Sequence, residues 1–299
     1  MDSRDHLAAV FGALRRALVK LRVHCIALCA LARPVSTEFR AADLNFPYPL
    51  RTRLGEGLAR LLSLDPGPVA DLLAGLVAGS AALLPNVPNS KLVYKARIRG
   101  ASAPATLASS TTSAAEIERD VVVKFCPRRF EGARGGEAVQ RLWAGSQLAP
   151  RVLGVQRLVG TMDIVVMECL SSEAGWRGLG ELVPDLAVTF FPAVRAALAL
   201  AHSLRTADSQ ATVHGDMRVP NVMVRSGAAS PSGSADGGAA EVRFVDFDWA
   251  GVAGEAACPT FVNPAVAWPA GMAPGAKLRQ EWDRELLASE LEALARLAA

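Results

Sequence analysis

The chain has 299 residues, enough for one large domain or two smaller ones with real cores. It is 51% hydrophobic and 20% charged, which excludes a wholly disordered protein. A net charge of +3, from 32 basic and 29 acidic side chains, gives no bulk-charge case for a nucleic-acid or membrane-surface partner.

Residues 5–32 carry a helical period: Leu7, Val10, Phe11, Leu14, Leu18 and Leu21 recur at three- and four-residue steps, and Pro34 ends the run. This basic, amphipathic start admits organelle targeting, against which Asp2 and Asp5 count, so a cytoplasmic location is expected. The scattered cysteines, five in number, fit free thiols in a reducing compartment. Helices are predicted at 51–63 and 68–83, separated by Asp65-Pro66-Gly67-Pro68. The apolar stretch Leu72 to Pro85 falls short of the roughly 18 residues a membrane span needs, so no transmembrane segment is expected. Residues 1–85 thus read as a helical N-terminal region without a motif that carries chemistry.

From Lys91 to Arg99 apolar and polar residues alternate, as in a half-buried strand. Residues 100–115 are small and polar and read as a flexible insert. The β-branched run Val121-Val122-Val123-Lys124-Phe125 completes a predicted hairpin. A helix over 136–145 carries Glu137, and strands follow at Val152–Val155 and Asp163–Glu168. Leu186 to Leu204 reads as one long apolar helix, with Pro192 near its first turn or kinking it. Thr212–Asp216 is a strand entering a loop. Two further strands, Asn221–Val224 and Glu241–Asp246, flank a Ser/Gly/Ala-rich loop over 225–240, and a last helix is predicted over 278–297.

Carboxylates at the mouths of buried strands are costly unless paired, hydrogen-bonded or bound to a metal. Asp216, after an apolar run, and Asp246, ending another, are of this kind, and Asn221 follows Asp216 by five residues. Such oxygen donors suit Mg²⁺, which takes one or two carboxylates together with phosphate oxygens. Lys124, inside a strand, needs a counter-charge, for which Glu137 is the nearest helical candidate and Glu116 and Glu131 are rivals. Phosphoryl transfer uses this kit: a cation on the phosphates, a metal held by acidic and amide oxygens, and a carboxylate beside the attacking hydroxyl.

On these residues the chain resembles the protein-kinase-like superfamily. His214-Gly215-Asp216-Met217-Arg218-Val219-Pro220-Asn221 matches the catalytic-loop pattern, in the form found in aminoglycoside and choline kinases. Asp246-Phe247-Asp248 resembles the metal-binding segment with Asp replacing its glycine. The longer string to Gly251, with Asn263-Pro264 and Trp268-Pro269, is similar to uncharacterised kinase-like proteins of fungi and other microbial eukaryotes. The resemblance implies an α+β, two-lobed protein-kinase-like fold. Residues 1–85 would be the helical N-terminal extension, 86–170 the N-lobe and 171–299 a shortened C-lobe. It implies ATP and Mg²⁺ as cofactors. Lys124 would hold the α- and β-phosphates with Glu137 orienting it, and Glu168 would lie in the hinge that meets the nucleotide. Asn221 and Asp246 would ligate the metal, Asp216 would position or deprotonate an unidentified hydroxyl acceptor, and Arg218 would contact the γ-phosphate. The chain departs from the family in having no G-x-G-x-x-G before Lys124 and no Ala-Pro-Glu after Asp246. These departures keep a pseudokinase as the alternative. His214 reads as a structural brace of the loop and His202 as a packed helix residue. Trp249, Trp268 and Trp282 read as core anchors, and Asp248 as either a second metal ligand or a turn former.

Overall fold

Alternation along two strands builds the main sheet. In the computed structural model the described residues are 82–83, 92–100, 117–127, 135–157, 162–227, 240–259 and 262–298. All belong to one compact unit, Arg53–Ala299. The expected N-terminal helices, apart from Ala82–Leu83, and most of the two inserts lie outside them, as do Glu116 and Glu131. Strands β2 (Leu92–Gly100) and β3 (Ile117–Pro127) pair antiparallel from Leu92↔Phe125 to Gly100↔Ile117. Tyr94, Ala96, Ile98, Val121, Val123 and Phe125 are buried on one face. On the other, Lys95 meets Asp120 at 2.8 Å, Arg97 meets Asp120 at 3.1 Å and Arg99 meets Glu118 at 2.8 Å.

The sheet has the order β1-β2-β3-β5-β4, adding β1 (Ala82–Leu83), β4 (Val152–Arg157) and β5 (Met162–Glu168), with every neighbouring pair antiparallel. Ala82 and Leu83 pair with Lys95 and Tyr94, so the helix expected over 68–83 does not hold at its end. Helix α1 (Gly136–Gly145) connects β3 to β4 and buries Val139, Gln140 and Trp143.

After β5 come β6 (Arg177–Gly178), α2 (Pro184–Thr189) and α3 (Phe191–Ser203). The single helix expected from Leu186 to Leu204 is therefore two, because Pro192 sits in the first turn of α3, where its missing N–H breaks no helical bond. Strand β7 (Thr212–Val213) pairs with β10 (Gly251–Val252), and β8 (Val222–Arg225) lies between β6 and β9 (Glu241–Phe244). Helix α4 (Gln280–Ala295) follows. Trp143 is fully buried, edge-on to Phe244 at 5.7 Å and Phe247 at 5.4 Å, and its Nε1 donates to Thr212 Oγ1 at 3.0 Å. Trp282 is buried, as expected of a core anchor, whereas Trp249 and Trp268 are half-buried. The architecture mixes helix and sheet, and no helix among the described residues is long and apolar enough to cross a membrane.

Candidate active site

Lys124 lies on β3, which is flanked by β2 and β5, and the residue is only 8% exposed. Its Nζ reaches Asp246 Oδ1 at 2.7 Å and Asp248 Oδ1 at 2.5 Å. Burial alone would push the ammonium's pKa down, but the two carboxylates outweigh it and raise it. Asp246 follows β9 with a left-handed φ of 67°, a conformation that costs a non-glycine residue energy and turns the chain sharply there.

The segment His214 to Asn221 follows β7. Gly215 has φ 83°, and a Cβ there would stand 2.6 Å from Leu278 Cδ1, so a side chain is excluded on both counts. His214 Nε2 donates to Val245 O at 3.0 Å, which leaves Nδ1 to accept the Asp216 N–H at 3.4 Å. Its two ring nitrogens are thus both spent on backbone groups within the site, which matches the bracing role.

Asp216 is buried and held from two sides. Arg218 donates to it through Nε at 2.5 Å and Nη2 at 2.9 Å, a bidentate pair that raises the arginine's pKa. Asn221 Nδ2 donates to Asp216 O at 2.7 Å and to its Oδ2 at 3.1 Å. The amide nitrogen of Asn221 is thereby committed, and its oxygen is left as the donor atom for a cation. The Val245 N–H bonds Asn221 O at 3.0 Å and extends the β8–β9 ladder, which pairs Val222 with Phe244. That bond sets Asn221 beside the residue preceding Asp246.

Asp246, Asp248 and the Asn221 amide oxygen are hard donors of the type Mg²⁺ takes. Among the described residues no group of three or more His, Cys, Asp and Glu side chains forms an all-protein metal cage. A site with one or two carboxylates and the rest of its ligands from phosphate oxygens and water fits this donor set.

Glu137 does not join Lys124. It lies in the exposed first turn of α1 and binds Arg141 one turn later at 2.7 Å. The expected Lys124–Glu137 pair is absent because Asp246 and Asp248 already answer the lysine. Glu168 ends β5, and its Oε2 accepts the Arg151 N–H at 3.1 Å, tying β5 to the start of β4. Its side chain therefore serves the sheet rather than the Lys124 cluster.

Asp283 of α4 escapes sequence reasoning. It is 1% exposed and accepts the backbone N–H groups of His214 and Gly215 at 2.8 Å each and His202 Nε2 at 3.1 Å. His202 is packed, as expected, but it also helps to satisfy that carboxylate. A signal was available: Asp283 falls on the same stripe as the buried Leu286, Leu287 and Leu291, and a carboxylate on an apolar stripe has a partner.

No protein-family model matches the chain, and no curated protein matches it. Among solved structures it is similar to the Cydia pomonella granulovirus kinase PK-1, at 12% identity and a TM-score of 0.47, covering 76% of this chain and 70% of that one.

Proposed function

We propose that the chain is a protein-kinase-like, two-lobed phosphotransferase that moves the γ-phosphoryl of ATP, with Mg²⁺, to a hydroxyl on a small molecule or protein. One observation carries this proposal. Lys124 converges with Asp246 from far along the chain, and the Val245–Asn221 bond sets the Asp216 loop beside them. In this role Lys124 releases its aspartates to bind the α- and β-phosphates. Asn221 and Asp246, with Asp248 as a further carboxylate, would hold the metal, which neutralises charge on the transferring phosphoryl. Asp216 would orient the hydroxyl and accept its proton, and Arg218, paired with that carboxylate, would contact the γ-phosphate. Glu168, at the end of β5, would lie where the adenine edge meets the chain, although its carboxylate and its N–H are both engaged with Arg151.

The double neutralisation of Lys124, with Glu137 turned to Arg141, favours a second reading: a nucleotide-binding or scaffolding pseudokinase without turnover. Mg²⁺-dependent ATP consumption separates the two. Asp216→Asn is expected to lose about 100-fold or more in rate, the scale of a lost general base. It should keep nucleotide-induced thermal stabilisation, which Asp246→Ala should lose. Equal rates in wild type and both variants would sink the enzyme reading.

A further inference from the structure

Helix α4 touches the candidate catalytic loop at two points. Asp283 holds its start at His214 and Gly215. Glu290, seven residues on, accepts the Val219 N–H through Oε2 at 2.6 Å. Seven residues are two helical turns, so both carboxylates stand on one stripe about 10 Å apart. Asp216 and Arg218 lie in the stretch between the two anchors.

Val219 to Asn221 form a single 3-10 turn with Arg218 at its N-cap. A helical start leaves its first N–H groups without internal partners. In this turn Pro220 has no N–H, and the Asn221 N–H bonds Arg218 O at 2.9 Å. The Val219 N–H is the donor left over. Arg218 makes no side-chain cap, because a guanidinium has no acceptor to offer an N–H group. Glu290 supplies the missing acceptor from a helix 71 residues away in sequence.

We propose that Glu290 is a positioning residue: by fixing the Val219–Asn221 turn from outside, it keeps Arg218 and Asn221 closed on the Asp216 carboxylate. The consequence for turnover rests on the phosphotransfer reading above, but the positioning itself does not. Neither Lys124 nor Asp246 is touched by Glu290, so the nucleotide half of the site should be indifferent to its loss.

The test uses the full chain with Glu290→Ala and Glu290→Gln, the second retaining an acceptor oxygen. Amide hydrogen exchange is read at Val219 and Asn221, and Mg²⁺-dependent ATP hydrolysis is measured alongside. The expected result is exchange at least 10-fold faster at both amides in Glu290→Ala and close to wild type in Glu290→Gln. Hydrolysis should fall roughly 10-fold in kcat at unchanged KM for ATP, the pattern of a lost transition-state contact. Unchanged exchange in Glu290→Ala, or a rise at Val219 alone, overturns the proposal. So does faster exchange at both amides with kcat intact. A wild type that shows no hydrolysis removes the phosphotransfer reading, and the exchange result then decides the positioning role by itself.

Discussion

A lysine inside a sheet is tolerated only when its charge is answered, and Lys124 is answered twice. Removing it takes away the cation that Asp246 and Asp248 share. Lys124→Met should therefore cost about 1.5–3 kcal/mol in urea unfolding, the scale of a lost hydrogen bond to a charged group. Adding Asp248→Asn should recover part of that loss, because the two sites share one interaction. A double variant as unstable as the sum of the two single changes would show that the lysine and Asp248 act independently. The candidate site residues were legible in sequence because their spacing is local: Asp216 and Asn221 fall in one loop, and Asp246 ends a β-branched run. Lys124's partners were not. The lysine pairs with residues 122 and 124 positions away, whereas the sequence offered Glu137 because it stood on the next helix.

At the scale of elements, the N-terminus of α1 meets the Phe247–Gly251 segment with no room to spare. A Cβ on Gly136 would fall well inside contact distance of the Phe247 carbonyl oxygen, and one on Gly135 would do the same to Gly251 Cα. Alanine at a helical glycine gains up to about 1 kcal/mol by propensity. Overpacking against backbone, which cannot rotate away, costs about 1–3 kcal/mol. The clash should win, so Gly136→Ala is expected to lower the urea midpoint. Gly145→Ala, at the other end of the same helix and with nothing within 4 Å of its Cβ, should leave the midpoint unchanged or raise it. A loss in both variants would point to glycine flexibility instead of close packing. The β2–β3 charge ladder makes a pH-dependent case. Hydrogen bonding to Lys95 holds Asp120 below the usual carboxylate range, against the opposing pull of burial. A depressed carboxyl stabilises the fold above its unfolded value of about 4 and loses that contribution as pH falls through the folded value. Asp120→Asn should thus unfold at lower temperature than wild type at neutral pH, with the gap closing below about pH 4. A gap that persists into acid would assign the effect to packing. The same ladder explains why the strand begins at Ile117, ahead of the β-branched run from Val121. Ile117 to Asp120 looks too polar for a strand until Glu118 and Asp120 are seen against Arg99, Arg97 and Lys95.

For the molecule as a whole, the site is assembled from distant stretches: β3, the loop after β7, the turn after β9, and α4 as a brace. Order along the chain was readable from the change of period, two in the strands and 3.6 in the helices. The packing of α4 against the loop was not, because it depends on one acidic residue within an apolar stripe. Every candidate residue lies in the unit Arg53–Ala299. Removing α4 from Gln280 onward takes away Asp283 and Glu290 together. It leaves four donors, the N–H groups of His214, Gly215 and Val219 and His202 Nε2, without acceptors. At about 1–3 kcal/mol for each stranded donor, that loss approaches the whole stability of a typical domain, and the shortened chain should not fold. A folded chain lacking α4 would mean that the loop is held by β7 and β10 alone.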